Sequence, residues 1–221
     1  MNDVTIIDQF LNTFATYIDS GFGLLQGEVA FLTATAVVSR VGTASLAGHQ
    51  IMMQLWNFMS LILDSLAIAA QSLTGAALGA GSARHARSVG SKVALYSTIF
   101  SGLLAVVFAA GAGIIPRIFT SSPEVLDAIS KPWWILVAMV IGGGVVFAFD
   151  GVLLGAGDAA FLRTLTISSV LVGFLPGVIL AHFMGTGLTG VWCGLAAFIA
   201  FRMVGVVYRF RSMKWAVVQE R

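Results

Sequence analysis

The chain has 221 residues, 58% of them hydrophobic and only 10% charged, with a formal net charge of +2. A soluble domain carries roughly 25% charged residues, so this chain lacks the charge to cover a water-facing surface, and a soluble enzyme domain, a disordered chain and a nucleic-acid binder are excluded as first readings. Its one cysteine, Cys193, sits inside an apolar run, which excludes an intrachain disulfide and a Cys/His metal cluster.

In chain order, the first ten residues, MNDVTIIDQF, carry two Asp and no Lys or Arg, the reverse of a secretory leader. With Asp19 added, residues 1–21 are too polar to span a bilayer and are expected to form an interfacial or disordered arm. A hydrocarbon core of about 30 Å needs about 20 apolar residues in a helix. Six runs meet that need: about 22–39, 49–78, 93–115, 133–155, 164–183 and 187–208. They are read as helices, because backbone polar groups cannot go unpaired in lipid. None alternates as a membrane barrel strand would. The breaks fall at Gly79, Gly81 and the bases Arg84, Arg87 and Lys92; at Pro116 and Arg117; at Pro132; from Gly155 to Arg163; and at Gly185 and Gly187. The fold expected is all-α and multi-pass, a six-helix lobe over 22–212 with a basic tail at 213–221.

Arg84, Arg87, Lys92, Arg163, Arg209, Arg211, Lys214 and Arg221 fall on one set of connections, and Arg40, Arg117 and Lys131 on the other. The excess of bases predicts that the first set and both termini are cytoplasmic. Arg202, near the same end of the sixth run, is expected to snorkel to that interface. Five Gly-x-x-x-Gly spacings (23/27, 75/79, 151/155, 173/177 and 190/194) read as close helix packing, and Pro176 is expected to kink the fifth helix.

The second run holds the candidate chemistry. Gln50, Asn57, Asp64 and Gln71 are spaced by sevens, so they drift only about 20° per step and form one stripe. Gln54 and Ser60 fall on the same side. Such a face looks onto a water-filled cavity or onto partner helices. Asp64 lies in mid-span, where a charge costs on the order of 2.5–3.5 kcal/mol on insertion scales. It is either a coupling-ion or substrate residue, or an acid hydrogen-bonded to a neighbouring helix. Glu28, near Gln26 in the first run, reads as functional or interfacial. Asp150, in the fourth, reads as functional or as a helix-end carboxylate. Asp158 is expected to be solvated, and His49 to make a hydrogen bond near a helix start. Trp133, Trp134 and Trp215 read as interfacial anchors. Enzyme signatures such as a Gly-x-Ser-x-Gly elbow, His-Glu-x-x-His or a phosphate loop do not occur.

The stretch VGTASLAGHQIMMQLWNFMSLILDSLAIAAQSLTGAALGAG, residues 41–81, resembles the multidrug and toxic compound extrusion (MATE) transporters, and most of all their DNA-damage-inducible protein F branch. FAFDGVLLGAGDAAFLR at 147–163 and RIFTSSPEV at 117–125 are similar to further patterns of that branch. The resemblance covers about residues 24–212. It implies one six-helix lobe of a twelve-helix, two-lobe transporter, the second lobe only, whose lobes are related by a pseudo-two-fold along the membrane normal. It also implies export of cationic or amphipathic compounds in exchange for protons or sodium, with no other cofactor. Asp64 and Asp150 match its motifs, and Glu28 lies near an acid of some relatives.

On this reading the chain sits in the cell membrane and works by alternating access. Cation-coupling candidates are Asp64, Glu28 and Asp150; Gln50, Gln54, Asn57, Ser60 and Gln71 line the cavity. Expected partners are membrane lipid, a small-molecule substrate and a second six-helix lobe, either a separate chain or a second copy, and no nucleic acid. Two alternatives remain at this point: a truncated, non-transporting fragment or accessory membrane subunit, and a flippase for lipid-linked precursors. The scarcity of bases within the spans weighs against the flippase.

Overall fold

The computed structural model describes residues 31, 34–35, 37–39 and 41–217, apart from the side chains at 180–182. All of the described regular structure is helical. The helices are α1 (Thr43–Gly79), α2 (Ala83–Ala110), the short α3 (Ile115–Phe119) and α4 (Pro123–Ser130), α5 (Pro132–Gly155), α6 (Ala159–Ser169), α7 (Leu175–Met184) and α8 (Gly187–Ser212). One π-helical turn, Val170–Phe174, joins α6 to α7. Five stretches among the described residues are long and apolar enough to cross a membrane: α1, α2, α5, α8 and the α6-to-α7 segment Ala159–Ile179. The arm expected at 1–21 and residues 218–221 lie outside the described residues, as does most of the span expected at 22–39; within that span, residues 31, 34–35 and 37–38 are helical.

The helices run past the apolar runs at several ends. α1 starts at Thr43, six residues before its run, and its 37 residues extend about 55 Å. α2 starts at Ala83 rather than 93, because the Ser82 hydroxyl accepts a hydrogen bond from the His85 N–H and caps the helix. Arg84, Arg87 and Lys92 therefore lie on helix α2 and not in a loop. α6 likewise starts at Ala159, and α8 ends at Ser212, with Arg209 and Arg211 in its last turn. Hydropathy reports burial in lipid, whereas a helix continues as long as its backbone bonds are capped. Pro116 does not simply close α2: it opens α3, in its first turn, where a proline N–H is not needed.

Pro176 sits at the start of α7, immediately after the π-helical turn. Its ring would crowd the carbonyl four residues back and removes the N–H that would bond there. The widened turn, in which the Leu175 N–H bonds back to the Val170 carbonyl, takes up that conflict.

α5 is the hub, packed on α1, α2 and α8. Successive residues of a helix point about 100° apart, and Gly142, Gly143 and Gly144 each admit a different neighbour. A Cβ on Gly142 would come within 3.2 Å of Ile199 on α8, and one on Gly143 within 3.3 Å of Trp56 on α1. A Cβ on Gly144 would collide with Ser101 on α2. One helical turn apart, Gly151 and Gly155 lie against the backbone carbonyls of Ala67 and Gln71 on α1. The 173/177 pair does the same between the α6-to-α7 segment and α8: Gly177 faces Gly194, and Gly173 faces Ala197. The 151/155 and 173/177 spacings are packing devices, as the sequence suggests, whereas a Cβ on Gly79 would meet nothing within 4 Å, and the 23/27 pair lies outside the described residues. Ser97 of α2 adds a hydrogen bond to the Gly144 carbonyl at 2.7 Å.

Two tryptophans read as interfacial anchors are core residues that close helix ends. Buried Trp133 donates its indole N–H to the Phe108 carbonyl at 3.1 Å and stacks on the Phe108 ring. Buried Trp215 donates to the Phe210 carbonyl at 2.9 Å and stacks on Phe210. Each indole bonds a last-turn carbonyl; that of Phe210 also accepts the Met213 N–H at 3.4 Å. Trp134 alone of the three is exposed.

Gly151→Val is expected to cost about 1–3 kcal/mol through overpacking against α1 and to lower the melting temperature in detergent. Gly102→Ala, where a Cβ meets nothing within 4 Å, should not lower it and is expected to raise it slightly, since alanine is the better helix former.

Candidate functional site

On α1 the buried positions Met52, Leu55, Trp56, Met59, Leu63 and Ala67 form one face. Gln50, Gln54, Asn57, Asp64 and Gln71 are all exposed, and Ser60 is half-buried. At 100° per residue, the polar residues lie within an arc of about 120° on the exposed side, an arc shared by the exposed apolar residues Leu61 and Ile68, with Phe58 beyond Gln54. Asp64 makes no hydrogen bond or ion pair among the described residues. The exposed face of α2, in contrast, is apolar, with Leu95, Ile99, Leu103, Val106 and Val107. The lobe thus has a lipid-type face on α2 and a polar flank on α1.

Asp150 lies on α5, next to the Gly151–Ala67 contact and thus about one turn of α1 from Asp64. Asp150 is not a helix-end cap. Its Oδ2 accepts a 2.6 Å hydrogen bond from Arg202 Nη2 on α8, with both side chains less than one-fifth exposed. Arg202 Nη1 donates to Thr166 Oγ1 on α6 at 2.8 Å, and that hydroxyl donates to the Leu162 carbonyl. Arg202 therefore points into the bundle rather than snorkelling to the interface. Three helices meet at its guanidinium, whose carbon lies 5.9 Å from the Phe198 ring centre. Asp150 Oδ1 and Arg202 Nε are buried with no hydrogen-bond partner among the described residues. Sequence reasoning placed Arg202 at a boundary and passed over Thr166. The available signal was the pairing rule itself: two opposite charges inside neighbouring apolar spans are each expensive alone.

Asp158, expected to be solvated, is paired. Arg209 Nε and Nη2 grip its two oxygens at 2.6 and 3.0 Å, and the guanidinium lies 4.9 Å from the Phe161 ring centre. This fork ties the α5–α6 connection to the last turn of α8. Glu28, with Gln26, lies outside the described residues.

At the opposite end of α1, His49 is fully buried. The Thr35 hydroxyl donates to the Phe31 carbonyl at 3.0 Å and lies 3.0 Å from His49 Nε2. With its one proton so used, the hydroxyl accepts from Nε2–H. Nδ1 then accepts from the Trp192 indole, which only donates, at 3.2 Å. The ring is neutral and joins residue 35, α1 and α8. A hollow of about 320 Å³ near Arg117, Trp133 and Trp134 contains none of the stripe residues.

Trp192→Phe strands the buried His49 Nδ1 without its donor. It is expected to cost about 1–3 kcal/mol, read as a lower melting temperature, with Trp192 fluorescence lost and the far-ultraviolet helix signal kept.

The MatE family profile matches residues 22–179. The chain is 32% identical, over 91% of its own length, to Protein DETOXIFICATION 44, chloroplastic, of Arabidopsis thaliana, and covers 40% of that protein. It is 25% identical to Multidrug and toxin extrusion protein 2 of Mus musculus, covering 86% of this chain and 34% of that one. The crystal structure of the eukaryotic MATE transporter AtDTX14 superposes with a TM-score of 0.88 at 17% identity, covering 98% of this chain and 49% of that one. The chain therefore spans about two fifths of the length of the relatives it matches. By its profile match and its helical, multi-pass fold, this chain belongs to the MATE family of membrane transporters.

Proposed function

We propose that this lobe forms one side of a cation-coupled exporter of amphipathic or cationic small molecules, working by alternating access. The observation that carries the reading is the polar flank of α1: glutamines and an asparagine aligned with a mid-helix carboxylate, Asp64, that is unpaired among the described residues. Left against hydrocarbon, these groups together would cost several kcal/mol. A second six-helix lobe, as a separate chain or a second copy, covers the flank and closes a water-filled path between the two. Rocking of one lobe against the other moves the substrate. A proton or sodium ion at an acid of the cavity shifts the balance of inward and outward states, because it binds the two with different affinity. Phosphate-bearing lipid substrates fit less well, since the guanidinium nearest the flank, that of Arg202, is already held by Asp150.

The bases support an orientation. Arg84, Arg87, Arg163, Arg209, Arg211 and Lys214 gather at the end of the bundle where α1 and α5 finish; Arg117 and Lys131 lie at the other. The positive-inside rule makes the first end cytoplasmic.

In the complete assembly containing this lobe, Asp64→Asn is expected to abolish gradient-driven efflux of a fluorescent lipophilic cation from proteoliposomes, with the helix content unchanged. Wild-type coupled efflux by that variant would overturn the reading. Single cysteines at Ser82 and Ser122 are expected to react with an impermeant thiol reagent from the cytoplasmic and external sides respectively, and the reverse pattern would invert the topology.

A further inference from the structure

Among the acids expected to couple a cation, Asp64 and Asp150 are neighbours in opposite situations. Asp64 is exposed and has no partner among the described residues. Asp150 is buried on a guanidinium 2.6 Å away. That guanidinium belongs to α8, is steadied by Thr166 of α6 at 2.8 Å, and lies beside the Phe198 ring. Arg is charged at every accessible pH, and a planar fork held by two partners on two helices loses little by staying where it is.

We propose that Arg202 is a tethered counter-cation that fills the cation place at Asp150, so that this carboxylate clamps α5 to α8 and leaves Asp64 as the described acid open to an external cation. The proposal deepens the transport reading by dividing its two described acids. Arg202 acts through Asp150 and is a positioning residue. Asp150 Oδ1 is buried and without a partner among the described residues, so removing the guanidinium leaves a whole carboxylate facing the vacated volume, next to the Thr166 hydroxyl. Those are oxygen ligands of the kind that hold a small hard cation. Arg202→Gln thereby uncovers a cation site that the wild-type lobe keeps closed.

The test needs no transport. The full chain in lipid nanodiscs is melted in sodium chloride and in choline chloride at equal ionic strength. A cation that binds the folded state alone raises the melting temperature. The wild-type chain and Asp150→Asn are expected to show the same sodium shift, whatever its size. Arg202→Gln gains an additional shift of a few degrees, and Asp150→Asn/Arg202→Gln loses that gain. In choline chloride each single variant melts below wild type, because it strands one buried charge, and the double variant recovers most of the loss. Should Asp150→Asn fail to fold, Arg202→Gln is compared with the double variant alone. A sodium shift of wild type that disappears in Asp150→Asn, or an Arg202→Gln chain that gains none, overturns the proposal.

In the complete assembly the double variant retains coupled efflux while Asp64→Asn does not. A well-folded double variant that has lost coupling makes Asp150 an exchanging acid and overturns the assignment. Absence of efflux from the wild-type assembly sinks the transport reading and leaves the melting series standing.

Discussion

The close approach of α5 to its neighbours sets the positions of everything else. Hydrocarbon gives no hydrophobic drive for helices to associate, so association in lipid rests on dispersion and on how nearly backbones can touch. Along α5 the side chain is removed where α8, α1 and α2 press closest, at Gly142, Gly143 and Gly144, and again against α1 at Gly151 and Gly155. The electrostatics follow from that packing. Gly151 seats α5 on the backbone of Ala67, and this contact brings the preceding residue, Asp150, to about one turn of α1 from Asp64. A bulkier residue at 151 would separate helices and acids together.

The charged residues then sort by depth. Arg209 and Asp158 form a two-pronged pair beside a connection, where water can reach part of each side chain; pairs of this kind contribute about 1 kcal/mol or less. Arg202 and Asp150 lie deeper in the bundle, about 15 and 8 Å along their helices from the ends nearest that connection. Burying such a pair yields little net stability, while losing one member is expensive. What the deeper pair supplies is geometry: it fixes α8 against α5 and, through Thr166, against α6. The His49–Trp192–Thr35 chain does the same at the other end with neutral groups. The lobe is thus pinned by polar contacts near both of its ends and by glycine contacts between them.

Much of this was legible in the sequence. Run length and apolarity gave the spans among the described residues, and a seven-residue period gave the stripe of α1, whose members do lie on one flank. Legibility failed where a residue's role depends on direction rather than depth. Arg202 near the end of an apolar run reads the same whether it reaches outward to water or inward to an acid; only the position of Asp150 on another helix decides it. Trp133 and Trp215 stand where anchors stand, yet the carbonyls of Phe108 and Phe210 turn them inward. The start of α2 is not legible because Ser82 caps a helix whose first turns are basic, and hydropathy is blind to caps. Asp158 reads as solvated because its partner lies 51 residues away in sequence.

The π-helical turn at Val170–Phe174 bears on how the two halves of the fifth span are phased. An α-helix advances about 100° per residue, so a turn that accommodates one extra residue rotates every later side chain by that amount relative to an uninterrupted helix. Gly173, inside the wide turn, and Gly177, beyond it, both face α8, meeting Ala197 and Gly194. The irregular turn is therefore an angular adjustment as well as relief for Pro176. It sets the azimuth at which α7 meets α8: an uninterrupted α-helix of the same length would turn Gly177 away from Gly194 by about 100°.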